Sequence, residues 1–127
     1  MQKLSAQTNA LNWFEIPAID IARAKNFYET IFETQLFEME MMGMKMAVFP
    51  SQSPLVGGGL AQSPNHKPST EGSIVYLNAN PDLQIVLDKV IDAGGMLTMP
   101  KTNIGDNGFM AFFIDTEGNS VGVHSMT

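Results

Sequence analysis

Residues 11–32, LNWFEIPAIDIARAKNFYETIF, decide the fold. Leu11 to Pro17 is a short apolar and aromatic run with one acid, bounded by Asn12 and Pro17, and it reads as a strand. Asp20 then precedes apolar residues at Ile21, Ala24, Phe27, Tyr28, Ile31 and Phe32. That is the spacing of one helix face, and the Asp20 side chain supplies the N-cap oxygen. Arg23, Lys25, Asn26, Glu29 and Thr30 take the solvent side. A strand followed at once by an amphipathic helix is the opening of a module, and the rest of the chain is read against it.

Outward from this stretch, Gln35–Glu40 and Lys45–Phe49 flank Met41, Met42 and Gly43, the pattern of a hairpin with glycine at its bend. A third run, Leu55–Ala61, follows the turn from Pro50 to Pro54. Ser63–Gly72 is rich in Pro, Ser and Asn and reads as a connecting loop. Beyond it the order repeats. Ser73–Ala79 reads as a strand, and Pro81 and Asp82 open a helix with Leu83, Val86, Leu87, Val90 and Ile91 on its apolar face. Gly94 and Gly95 end that helix. Runs at Met96–Thr102, Gly108–Asp115 and Ser120–Ser125 complete three more strands, with turns at 106–108 and 116–119. The expected architecture is α+β, a single domain over 1–127 made of two modules, about 10–62 and 72–126. Each module alone leaves an apolar sheet face uncovered, and two together can cover each other.

Composition narrows the chemistry. The 127 residues carry a net charge of -6, with Lys+Arg 7 against Asp+Glu 13. Scattered single cations in an acidic chain predict no nucleic acid and no membrane surface as partner. With Cys 0, thiolate zinc sites, iron–sulfur clusters, disulfides and Cys nucleophiles are all excluded, and His66 and His124 are the only histidines. Residues 1–12 lack a leader-like apolar core, so the expected location is cytoplasmic.

The Pro-x-x-Asp step at Pro17–Asp20, then Ala24, Phe27, Tyr28 and Phe32, and near the C-terminus Phe112-Phe113-Ile114-Asp115-Thr116-Glu117-Gly118-Asn119, resemble the vicinal oxygen chelate superfamily. That superfamily includes glyoxalase I, extradiol dioxygenases, fosfomycin-resistance proteins and bleomycin-binding proteins. The resemblance covers about residues 10–126. It implies two paired βαβββ modules whose mixed sheet curls into a cup with the helices outside, a homodimer, and a divalent metal held by His and Glu. The metal does not carry over residue by residue. Trp13 occupies the first ligand position and Gly122 the last. The stretches expected to supply the other two, Leu55–Ala61 and Ser73–Tyr76, contain no His, Asp, Glu or Cys. Catalytic metal sites need about three such ligands, so the expectation is no metal and no other cofactor.

Alternation on the first strand puts Trp13 and Glu15 on one face. Glu15 is then a candidate proton acceptor with a raised pKa or an acceptor of hydrogen bonds from a ligand, as against a rim carboxylate that is solvated or bonded to a neighbouring strand. Ser120, Gly122 and His124 share a face, which makes His124 a candidate proton shuttle or a terminal surface histidine. Trp13, Tyr76, Gly58 and Phe112 are candidate ligand-binding residues, the glycine by leaving room above its strand. Phe109, Phe112 and Phe113 read first as core and only then as a ligand platform. His66 lies in the connecting loop and becomes relevant only if that loop closes over the cup. Met39, Met41, Met42, Met44 and Met46 form a cluster that reads either as hairpin filler or as a pliable apolar surface. The partner expected is a small organic molecule, turned over by metal-independent lyase or isomerase chemistry or simply sequestered.

Overall fold

The computed structural model describes residues 4–127, so the first three residues of the leader reading lie outside the described residues. The first module runs β1 (Trp13–Pro17), α1 (Ile21–Phe32), β2 (Phe37–Met41), β3 (Met44–Val48) and β4 (Gly57–Gln62). The second runs β5 (Tyr76–Asn78), α2 (Leu83–Val90), β6 (Met96–Asn103), a single 3-10 turn at Gly105–Asn107, β7 (Phe109–Ile114) and β8 (Ser120–Ser125). The expected order is therefore present twice. The sheet is divided in two: four strands ordered β1-β4-β3-β2 and four ordered β5-β8-β7-β6. In each, the strand before the helix pairs in parallel with the last strand of its module, Trp13 opposite Gly57 and Tyr76 opposite Gly122.

Local chemistry explains the elements. Asp20 has extended dihedrals and its side chain accepts from the Arg23 amide, capping α1. Asp82 does the same for α2 through the Gln84 amide. The β2–β3 hairpin turns on two residues, Met42 and Gly43, with φ of 52° and 80°. Two positive φ values are what a tight turn between twisted strands demands, and they set the register that follows.

Alternation sorts each sheet into two faces. Phe14, Ile16, Ala47 and Leu60 on one sheet, and Leu77, Ala111, Phe113, Val121 and Val123 on the other, pack against the helices. From the helices come Ala24, Phe27, Tyr28 and Ile31, with Leu83, Val86, Leu87 and Val90, so one apolar core joins both modules. Burying each large side chain contributes roughly 1.5–3 kcal/mol. Phe27 stacks edge-on against Tyr28, at 5.0 Å between ring centres.

Three expectations change. Ile91, placed on the apolar face of the second helix, is 65% exposed, because α2 ends at Val90 and residue 91 is its C-cap. The fifth strand is confined to Tyr76–Asn78 and does not begin at Ser73. The first strand begins at Trp13, two residues inside the expected run. Among the described residues, no helix is long and apolar enough to cross a membrane.

Candidate functional site

The faces turned away from the helices form the candidate site. On the first sheet, register aligns Glu15, Gly59, Val48 and Phe37 in one row across the strands, and Pro17, Ala61, Met46 and Met39 in the next. On the second, Tyr76, Gly122 and Phe112 form a row, with Asn78, His124 and Met110 beside it. Trp13 and Tyr76 occupy matching places in the two modules and are 43% and 49% exposed. Each ring lies by the glycine across from it: a Cβ at Gly122 would come within 2.6 Å of the Tyr76 ring, and one at Gly57 within 3.5 Å of the indole. Phe112 supports Tyr76 at 5.6 Å between ring centres.

Glu15 is the chemical centre of this face. Its Oε1 accepts from His66 Nε2 at 2.7 Å and its Oε2 from the Trp13 indole N–H at 3.2 Å. The loop after β4 therefore folds back over β1 and makes His66 half-buried. Ser63 Oγ lies 2.7 Å from His66 Nδ1 and itself accepts from the Asn65 amide. His66 thus bridges the Glu15 carboxylate through Nε2 and the Ser63 hydroxyl through Nδ1. The bond from His66, aided by the Trp13 indole and the His66 charge, holds Glu15 below the ordinary carboxylate range although burial opposes it. This corrects the expectation of a raised pKa, which assumed apolar walls and no donor. Beside Glu15 a cleft of about 250 Å³ follows the seam between the modules, lined also by Lys67, Ser69, Ser73, Asn119 and Ser120.

The predicted residues do not all meet. Trp13 and Glu15 are in direct contact, whereas His124 donates its Nε2 proton to the Asn107 carbonyl at 2.6 Å. It stands four residues along β8 from Ser120, roughly 13 Å of strand, and it does not line the cleft that Glu15 lines. Gly58 faces the other way: a Cβ there would collide with the Phe14 ring on the helix side. The glycines next to it in sequence, not Gly58, share a face with Glu15. His66 enters the site in its place, signalled only by the short spacing Ser63-x-x-His66 in a loop whose course the sequence does not reveal.

The C-terminal motif does different work. Asp115 is buried and accepts from the Glu117 and Asn119 amides, the Asn119 side chain and the Tyr28 hydroxyl. Burial first, then the Asp115 carboxylate, pushes the Tyr28 phenol well above its ordinary range, so it remains a donor. Glu117 accepts the Ile19 and Asp20 amides at the start of α1 and grips the Arg23 guanidinium at 2.8 and 3.1 Å. Burial pushes the Glu117 pKa up, but bonds from Arg23, the Asp20 amide, Thr116 and the Ile19 amide outweigh it and hold the group low. Asn119 reaches across to the Pro17 carbonyl at 2.7 Å. These residues lock the second module to the β1–α1 junction of the first.

The side chains at the family's metal positions do not fit a divalent ion. Trp13, Gly122, the glycine- and alanine-rich β4 and Tyr76 offer no imidazole, thiolate or carboxylate. Among the described residues, no three His, Cys, Asp or Glu side chains cluster at metal-binding distance.

Residues 10–123 match the family model described as the Glyoxalase/Bleomycin resistance protein/Dioxygenase superfamily. The chain is 33% identical over 116 residues to CFP32 of Mycobacterium bovis and of Mycobacterium tuberculosis, whose glyoxylase assignment is itself provisional. Those matches cover 88% of this chain but 44% of the relatives, so the chain spans less than half their length. A glyoxalase/bleomycin resistance protein from Albidiferax ferrireducens has a similar structure, with a TM-score of 0.72 at 16% identity, covering 94% of this chain and 100% of that one. The fosfomycin resistance protein encoded by Listeria monocytogenes superposes at a TM-score of 0.63 and 13% identity, over 95% and 94% of the two chains. Both likenesses speak to the fold alone. By its sequence match over almost its whole length, the chain belongs to the glyoxalase/bleomycin resistance protein/dioxygenase superfamily.

Proposed function

We propose that this chain is a cytoplasmic, homodimeric small-molecule-binding protein in which the ionised Glu15 carboxylate, and no divalent metal, is the polar anchor of the cup. The observation that carries this reading is the placement of Glu15 between the Trp13 indole and His66, beside the seam cleft. A carboxylate can accept about four hydrogen bonds, so two lone pairs remain for a ligand. Exposed Trp13, bonded to the carboxylate through its indole N–H, offers a flat apolar wall beside it, and exposed Tyr76 holds the matching place in the second module. Uncovered Phe37 on the edge strand of the first sheet supports self-association, which sedimentation equilibrium tests.

Trp13 is the sole tryptophan, so its emission reports ligands directly. Bleomycin, fosfomycin and the methylglyoxal–glutathione adduct serve as probes, the names of the relatives supplying the choice. Saturable quenching by one of them that weakens at least tenfold in Glu15→Gln is the expected result. Metal analysis of protein purified without chelator should find far less than one divalent ion per chain; one tightly held ion per chain would overturn the metal-free reading.

A metal-independent lyase or isomerase reading is favoured by the Ser63–His66–Glu15 chain, along which a proton could move. The low pKa of Glu15 makes it a weak base, which favours binding over turnover. Turnover of the adduct that survives chelator and disappears in Glu15→Gln would establish the enzyme.

A further inference from the structure

We infer that the β2–β3 hairpin carries a binding site for a soft monovalent metal ion, copper(I) or its surrogate silver(I), made of methionine thioethers. The register pairs Met39 with Met46 and Met41 with Met44 across the two strands. Strand alternation places all four on the face turned away from the helices. The opposite face carries Glu38, Glu40 and Lys45, and Glu38 reaches Lys25 on α1 at 3.8 Å, which fixes the sides. Because the hairpin turns on Met42 and Gly43 alone, a slip that would scatter the sulfurs is disfavoured.

The spacing suits one ion. Directly opposite Cβ atoms lie about 5 Å apart, and strand neighbours two residues apart about 7 Å. A point roughly 2.5 Å above the middle of that rectangle is about 5 Å from each Cβ, the reach of a Cβ–Cγ–Sδ arm plus a metal–sulfur bond of about 2.3 Å. Methionine has three rotatable side-chain torsions with which to converge there. Met46 is 1% exposed and forms the floor, while Met39 and Met41 are open to solvent, so an ion can enter from above.

The donor chemistry selects the ion. Thioethers are neutral and soft, which suits copper(I) and leaves hard divalent ions unserved. With no cysteine in the chain, no thiolate competes, and the net charge of -6 draws cations to the surface. The site lies on the same sheet face as Glu15 but on the two strands farthest from β1, and it does not depend on the ligand-binding reading above.

The test uses the 127-residue chain labelled with 13C at the methionine methyls, titrated with silver(I), and a parallel anaerobic competition with bicinchoninate for copper(I). One equivalent per chain should saturate, moving the methyl signals of Met39, Met41, Met44 and Met46 while those of Met96, Met99, Met110 and Met126 stay, and zinc(II) should move none. The variant Met39→Leu/Met41→Leu/Met44→Leu keeps apolar volume and should lose that equivalent with wild-type circular dichroism. Should the triple variant fail to fold, the single exposed change Met41→Leu should weaken binding at least tenfold. No withdrawal of copper(I) from bicinchoninate, shifts spread over all methionines, or full binding by a folded leucine variant would each overturn the site.

Discussion

The Tyr28 hydroxyl on α1 donates to Asp115 Oδ2 at 2.7 Å, joining across 87 positions the two sequence segments that carry the family resemblance. Both groups are buried, and Asp115 also organises the turn into β8 through two backbone amides. Tyr28→Phe keeps the ring packing against Phe27 and removes one bond to a charged acceptor. Urea unfolding should show a loss of about 1.5–3 kcal/mol with an unchanged slope. A change below 0.5 kcal/mol would show that the junction does not rest on this bond.

Glu117 and Arg23 form the second clasp of the same junction. Glu117→Gln turns an amide N–H toward the guanidinium, while Arg23 is half exposed and can rehydrate. The expected cost is about 2–3 kcal/mol, below the roughly 3–5 kcal/mol for breaking a fully buried pair. The native Glu117 pKa lies below its unfolded value, so its contribution is complete above the ordinary glutamate range and is lost as pH falls through the depressed native value. Stability measured from pH 7 down to pH 3 should therefore fall less steeply in Glu117→Gln than in the wild type.

For Glu15 the pH effect is local. The His66 bond depresses its pKa, so the carboxylate remains ionised until the pH drops below its usual range. The Trp13 emission, sensitive to the carboxylate bonded to its N–H, should titrate below pH 4.5 in the wild type, the value ordinary for Glu. In His66→Ala that midpoint should move up toward 4.5, with far-ultraviolet circular dichroism confirming that both proteins remain folded. An unmoved midpoint would detach His66 from the site.

Two glycine substitutions should behave differently. In Gly58→Ala the new methyl meets Phe14, whose ring leans on Phe49 at 5.8 Å in the core, and overpacking should cost about 1–3 kcal/mol. In Gly122→Ala the methyl meets Tyr76, which is half exposed and can swing outward. Thermal melting should barely change for Gly122→Ala, whereas its cup face is reshaped and ligand quenching of Trp13 should alter.

Much of the fold is legible in local pattern. The apolar spacing of Ala24, Phe27, Tyr28 and Ile31, and the Asp20 and Asp82 caps, are properties of a single helix. The alternation around Trp13 and Glu15 is likewise a property of one strand. These elements form where they are expected because short-range geometry dictates which side chains share a face. The bend at Met42 and Gly43 belongs to the same class of local signal.

The site is a different matter. By itself the sequence determined that Glu15 and Trp13 share a face, from a period of two, and, given the family resemblance, that the positions where it implies metal ligands carry no His, Asp, Glu or Cys. Only the tertiary structure decided that His66 closes on Glu15 from a loop 51 positions away, that His124 is tied to Asn107, and that Gly58 points at Phe14. Loop paths and strand partners are set by the packing of both modules around one core, and that packing also reversed the direction of the Glu15 pKa. A pKa depends on the donors brought to a group from afar, and no local pattern in the chain encodes them.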